Sequence, residues 1–237
     1  PVKFDARKWA QIAKGAGNSE KIVAGVIGPG GMGMSLLRSF ASQKDVAMAY
    51  VCDPDQNRLN QAAREAESAS GRAPAAVKDM RRIIDDKSVD AVIIATPDHW
   101  HAPAAILALD AGKHVYVEKP CAHNIREGRL MVEAQRRSKR VVQVGTQTRS
   151  AEHVRRAMEL LRGGVIGEIL VAKAWNSQLR SNIGHATPSE PPAHLDFDLW
   201  VGPAPMVPYR SNLLHSSWRW FRPFASTGPR CPYRSCR

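Results

Sequence analysis

Residues 21–27 read KIVAGVI and run directly into Gly28-Pro29-Gly30-Gly31-Met32-Gly33. An apolar, β-branched run that ends on glycine and is followed by helix-forming residues restricts the chain to a strand, a tight turn and a helix folded back on that strand. The glycines fall in the order G-x-G-x-x-G. The first permits the turn, the second lets a bound pyrophosphate approach the backbone, and the third lets the helix lie close to the sheet. Gly31 and Met32 lie between the second and third glycines, where the turn leads into the helix and unpaired amides face an anion. Asp53 closes a second apolar run 20 residues after Gly33, the position from which a carboxylate accepts hydrogen bonds from adenosine ribose hydroxyls. A 2′-phosphate would meet a like charge there, so NAD is expected, with NADP possible because Arg58 lies near enough to soften the preference.

The remaining pattern extends this unit. Helices are expected over residues 34–41, 56–68, 77–86, 102–111, 125–138 and 152–161. Strands are expected over 46–52, 89–95, 115–117 and 141–144, with Gly112 terminating the helix before it. Strands with few interior charges that alternate with helices give a parallel sheet covered on both faces. The fold class is therefore α/β, a doubly wound Rossmann sheet, followed by the start of an incomplete α+β substrate domain. The expected boundaries are an N-terminal extension (1–20), an NAD(P)-binding domain (21–149), a partial substrate domain (150–222) and a compositionally aberrant tail (223–237). Within the substrate part, residues 168–175 alternate as a strand, and 177–208 lack periodicity.

Thr96 and Pro97 stand at the carboxyl end of the strand 89–95, where open α/β sheets bind ligands, and are candidate cofactor contacts. The run Asp98-His99-Trp100-His101 invites a metal reading, but no third ligand is spaced to join it. Its expected role is to open the following helix, with Asp98 or His101 capping free amides. Glu118, Lys119 and Pro120 end a buried strand at the same rim. An ammonium group there can hydrogen-bond the oxygen of an alcohol or ketone while hydride moves to or from nicotinamide, and burial would depress its pKa.

The segments AGKHVYVEKP (111–120) and ATPDHWH (95–101), with the glycine turn, resemble the Gfo/Idh/MocA family of sugar and cyclitol oxidoreductases. The resemblance implies that Lys119 is catalytic, that Glu118 lies by the nicotinamide ribose, and that His101 belongs to the cofactor site. It aligns VGTQTR (144–149), with Gln147 and Arg149 as substrate-side candidates, to the entry into the substrate domain. LWVGPAP and WRWFR are similar to a branch often made as exported bacterial proteins. The family continues after Arg222 through a G-V-H element that carries a catalytic histidine. This sequence instead reads PFASTGPRCPYRSCR, which a reading-frame slip would explain, and Cys231 and Cys236 are then accidental neighbours with no zinc to hold. The implied reaction is hydride transfer on a sugar or cyclitol hydroxyl. The alternatives are an NAD-dependent glycosidase of the same fold and a dinucleotide-binding fragment without turnover. The implied partners are a small sugar or polyol and, for full-length relatives, a second copy of the chain.

Net charge is +12, but from Trp218 onward there are five arginines and no acid, and the remaining charge is spread over helices of mixed sign. Nucleic acid is not an expected partner. No run approaches the roughly 18 to 20 apolar residues of a membrane-spanning helix. The resemblance alone implies a location, the bacterial cytoplasm or, if an export signal preceded Pro1 and was removed, the periplasm.

Overall fold

The computed structural model describes residues 21–175 and 182–226. Six parallel strands form one sheet: β1 (Ile22–Ile27), β2 (Val46–Cys52), β3 (Ala75–Val77), β4 (Ala91–Ile94), β5 (His114–Glu118) and β6 (Val142–Gly145). Their order is β3-β2-β1-β4-β5-β6. The chain runs outward in one direction from β1 and then in the other, so the ends of β1 and β4 diverge into a crevice at the carboxyl edge.

Side-chain alternation divides the core between the two faces. Ala24, Val26, Ala91 and Ile93 meet Leu37 and Phe40 of α1 (Gly31–Ala41) and Leu59 and Ala62 of α2 (Gln56–Ser70). On the other face Val92, Ile94, Val115 and Val117 meet Ala104, Ala105 and Ala108 of α4 (Asp98–Asp110) and Met131 of α5 (Ile125–Ser138). Alanine on α4 brings that helix close to the sheet, and Gly112, at φ 77, follows its C-cap residue. Asn124 caps α5 by accepting from the Glu127 amide at 3.0 Å, while the Glu127 carboxylate accepts from the His123 amide at 3.0 Å, a reciprocal cap that fixes the helix start.

Three elements differ from the sequence reading. Residues 77–86, expected to be one helix, divide into the end of edge strand β3 and a single turn, α3 (Arg81–Ile84), started by Asp79 accepting from the Arg81 amide at 2.9 Å. Residues 168–175 form no strand. Their alternation is intact, but a strand needs a paired neighbour, and here Leu170, Val171 and Trp175 are exposed. The preceding helix α6 (Glu152–Arg162) likewise buries none of its residues.

The third difference concerns the region from residue 182 onward, which is not irregular throughout. It contains α7 (Phe197–Val201), capped by Asp196 accepting from the Leu199 amide at 3.0 Å, and a 3-10 turn at Ser217–Trp220. Leu195, Phe197, Trp200, Val201, Leu213, Trp218 and Phe224 make a third core. Phe224 is fully buried and the Ser226 amide donates to Asp98 at 3.0 Å, so packing continues beyond the compositional break at Arg222. Cys231 and Cys236 lie outside the described residues.

This third core rests on the Rossmann sheet through α4. The Trp100 indole donates to the Trp200 carbonyl at 3.1 Å, and the His99 ring contacts the same oxygen at 3.1 Å. Gly202 has φ 49, and a Cβ there would coincide with the Trp100 ring. Gly202→Ala is therefore expected to cost about 1 to 3 kcal/mol. Limited proteolysis should show residues 182–226 cleaved before the sheet.

Candidate functional site

One cleft of about 610 Å³ runs along the carboxyl edge of the sheet. Its floor carries the glycine turn after β1, Asp53 after β2, Thr96 and Pro97 after β4, and Glu118 and Lys119 after β5. Elements separated by as many as 90 residues thus converge because parallel strands all end on one side.

The glycine turn is shaped by what lies behind it. Gly28 adopts φ 77, and a Cβ on it would sit 2.8 Å from the Thr96 backbone nitrogen. A Cβ on Gly33 would strike the Gly28 carbonyl, so this residue sets the distance between α1 and β1. At Gly30 the space a Cβ would fill is taken by the Arg58 guanidinium, whereas nothing lies within 4 Å of such a position on Gly31. No side chain caps the start of α1 and Met32 is 46% exposed, so the first amides of the helix face the cleft with a cation beside them.

Asp53 is buried and accepts from the Asp55 amide at 2.9 Å. Burial pushes its carboxyl up to about 6, against the opposing pull of that amide and of Arg58. The Thr96 hydroxyl oxygen is buried and has no hydrogen-bond partner among the described residues.

Glu118 is buried at the end of β5. Both its oxygens accept from the Gln147 amide nitrogen, at 2.6 and 2.7 Å, and the Lys119 amide donates to it at 3.2 Å. Burial first, and then the Glu118 charge, push the Tyr116 hydroxyl up to about 12. Gly145 on β6 leaves room for both groups, since a Cβ there would lie 2.5 Å from Glu118 Oε1. Gln147, read as a substrate-side residue, therefore holds Glu118. Arg149 is exposed and does not line the cleft.

Lys119 is exposed at the rim, where burial was expected. Among the described residues the buried lysine is Lys113, whose ammonium donates to the Asp86 carbonyl at 2.5 Å. His101 is buried with both ring nitrogens against carbonyl oxygens, Pro120 at 2.6 Å and Thr96 at 2.8 Å. It shapes the site by tying the loop after β4 to the one after β5, and it presents no free nitrogen to a cofactor. The expected capping role of Asp98 is also replaced: it caps no α4 amide and instead accepts from the Ser226 amide and hydroxyl, at 3.0 and 2.9 Å.

Sequence reading missed the far wall. His215, Ser216, Trp218 and Arg219 line the same cleft, as do Leu199 and Trp200. Asp196 before the largely apolar FDLWV and the glycine of LWVGPAP were local signals for that wall. Nothing near His215 announced a partner 160 residues away, Asp55, which its Nε2 meets at 2.7 Å.

A family model described as the oxidoreductase family, NAD-binding Rossmann fold, matches residues 22–146. The chain belongs to the Gfo/Idh/MocA oxidoreductase family. A second model of the family, its C-terminal alpha/beta domain, matches residues 171–229. A glycosyl hydrolase family 109 protein of Saccharopolyspora erythraea is 31% identical over 167 residues, 68% of this chain and 36% of that relative. The chain thus spans little more than a third of that relative's length. Among solved structures, an NAD binding oxidoreductase from Klebsiella pneumoniae is 30% identical, with a TM-score of 0.53 over 62% of this chain and 40% of the other. The myo-inositol 2-dehydrogenase of Lactobacillus plantarum is 25% identical, with a TM-score of 0.56 over 63% and 43%.

The residues present fit the family's cofactor. The uncapped helix start and Arg58 suit a pyrophosphate, the Asp53 carboxylate suits ribose hydroxyls, and the unpartnered Thr96 hydroxyl lies on the cleft between the glycine turn and Lys119. No helix among the described residues is long and apolar enough to cross a membrane.

Proposed function

We propose that this cleft binds NAD and that the protein is an oxidoreductase acting on a sugar or cyclitol hydroxyl. The observation that carries the reading is the convergence of the glycine turn, Asp53, Thr96, Glu118 and Lys119 on one cavity. When bound, the nicotinamide supplies the acceptor or donor of a hydride. Asp53 accepts from the adenosine ribose hydroxyls and disfavours a 2′-phosphate. The amides opening α1, with Arg58, neutralise the pyrophosphate. Glu118, immobilised by Gln147 and the Lys119 amide, fixes the backbone from which the Lys119 side chain reaches out. In the reducing direction the Lys119 ammonium hydrogen-bonds the ketone oxygen and gives it the proton that completes the alcohol. In the oxidising direction the free amine takes that proton back. Because Lys119 is exposed here, bound substrate and cofactor must supply the desolvation its role needs.

A second reading is favoured by the 31% identical relative named as a glycosyl hydrolase family 109 protein. Transient oxidation of a sugar hydroxyl acidifies the neighbouring C–H and eases elimination of the aglycone as an alcohol; water then adds across the resulting double bond and the hydride is returned to the ketone, so the net reaction is hydrolysis. The two readings separate on net redox. A panel of polyols and cyclitols with NAD⁺ should produce reduced nicotinamide absorbance, with Lys119→Ala slowing turnover about 10²- to 10⁴-fold. Release of nitrophenol from aryl glycosides with no net reduced cofactor selects the glycosidase. Neither signal, with NAD⁺ still bound, would sink both and leave a binding module.

A further inference from the structure

The far wall of the cleft is anchored to the loop that carries Asp53. Residues 53–56 meet residues 194–196 through an Asp55 to Leu195 bridge, the Gln56 amide donating to the His194 carbonyl at 2.9 Å and the Asp196 amide donating to the Pro54 carbonyl at 3.0 Å. Asp55 is 1% exposed, although it follows the cofactor loop directly. One of its oxygens caps α2, accepting from the Asn57 and Arg58 amides at 2.8 and 3.2 Å. The other faces His215 Nε2 at 2.7 Å, with His194 Nε2 further off at 3.5 Å.

This arrangement fixes the His215 tautomer. A carboxylate only accepts, so Nε2 carries the hydrogen and donates it to Asp55. Burial, and then the Arg58 charge, lower the tendency of the ring to take a second proton, against the opposing pull of Asp55. Nδ1 is then a bare acceptor with no partner among the described residues, on a side chain that lines the cleft. What it lacks is a donor, and an adenosine offers two kinds, ribose hydroxyls and the adenine amine. Beyond it, Ser216 and Trp218 continue the wall, and the Arg219 guanidinium lies 4.3 Å from the centre of the Trp218 ring, a flat cationic surface of the kind on which a purine stacks.

We propose that residues 215–219 form a second cofactor-binding element that encloses the adenosine half of the dinucleotide, with His215 as hydrogen-bond acceptor and Arg219 as stacking surface. The inference rests on the NAD reading above. It also adds a source of selectivity, because a 2′-phosphate presents acceptors to an acceptor and meets Asp53 as well.

Isothermal titration of the chain with NAD⁺ and with ADP-ribose, which lacks the nicotinamide, tests it. His215→Ala and Arg219→Ala should each weaken both ligands about tenfold and by the same factor, because the lost contacts lie in the half the ligands share. Arg219 is exposed, so its variant keeps the test open where His215→Ala fails to fold. Unchanged ADP-ribose affinity in folded variants overturns the proposal, and so does a loss confined to NAD⁺. Failure of the unaltered chain to bind either ligand would instead overturn the NAD reading itself, and this element with it.

Discussion

Gly33→Val is expected to unfold the turn after β1 and abolish dinucleotide binding, while Gly31→Ala, two residues earlier in the same motif, leaves both intact. A Cβ at position 33 runs into the Gly28 carbonyl, lies 3.0 Å from the Gly28 carbonyl carbon and 3.1 Å from Ala95 Cβ. None of those atoms is the free end of a flexible side chain. The helix must move away from β1, opening a core in which Val26, Leu37 and Ile93 are fully buried. A loss of about 3 kcal/mol or more follows, which for a chain of this size lowers the melting temperature by roughly 6 to 12 °C. At position 31 nothing lies within 4 Å, and alanine gains about 0.5 to 1 kcal/mol over glycine in a helix. Gly30→Ala falls between them: the obstacle is the Arg58 guanidinium, which can swing aside, so the fold should survive while the new methyl group blocks the pyrophosphate. Melting curves and NAD⁺ titrations of the three variants check this order. Equal damage at positions 31 and 33 would refute the packing argument.

The same contrast shows what could be read in the sequence. The Rossmann half was legible because its signals are local: apolar runs on β1, β2 and β4, glycine at the turn, Asn124 and Glu127 at the start of α5, and Gly112 after α4. These act over one or two turns of chain, and α5 has the bounds its amphipathic pattern set out. Residues 77–86 failed for the opposite reason. β3 is a three-residue edge strand, too short for any period to register, and its pairing with Tyr50, Val51 and Cys52 decides it. Residues 168–175 had the alternation and lacked the partner.

For the site, residue types were legible but several roles were not. His101 and Gln147 lie near the cofactor cleft, yet each acts on a protein group, two carbonyl oxygens in one case and Glu118 in the other. The far wall was hidden because its contacts join residues a hundred or more positions apart, such as Asp55 with His215 and Trp100 with Trp200. The exposure of Lys119 depends on what covers the rim, which no strand-end motif encodes.

Asp53→Asn is expected to stabilise the cofactor-free protein at neutral pH while weakening NAD⁺ binding, and the pH profile separates the two effects. In the folded protein Asp53 keeps its proton up to about 6, because burial penalises the carboxylate, whereas its ordinary value is 3.8. Between those values the folded form holds more protons than the unfolded one. Stability from this group is therefore fully present below about pH 4 and lost as pH rises through 6. The shift corresponds to about 3 kcal/mol at pH 7, the upper limit of what Asn can restore while still accepting from the Asp55 amide. His99 slopes the other way: burial holds it down to about 4 from an ordinary 6.5, so its contribution is present above 6.5 and lost as pH falls toward 4. The two trends are similar in size and offset each other in the unaltered chain. Asp53→Asn should expose the His99 slope, a protein more stable at pH 7 and losing about 3 kcal/mol between pH 6.5 and 4. Denaturant melts across that range read it directly, and a variant whose profile parallels the parent's would show that Asp53 is not charged against its surroundings. Ligand binding reverses the cost. Ribose hydroxyls replace the water that burial removed, so NAD⁺ should bind more tightly as pH rises through 6 in the parent and show no such rise in the Asn variant. A group that is unfavourable alone and satisfied by ligand is one that the cofactor, once bound, would make stabilising.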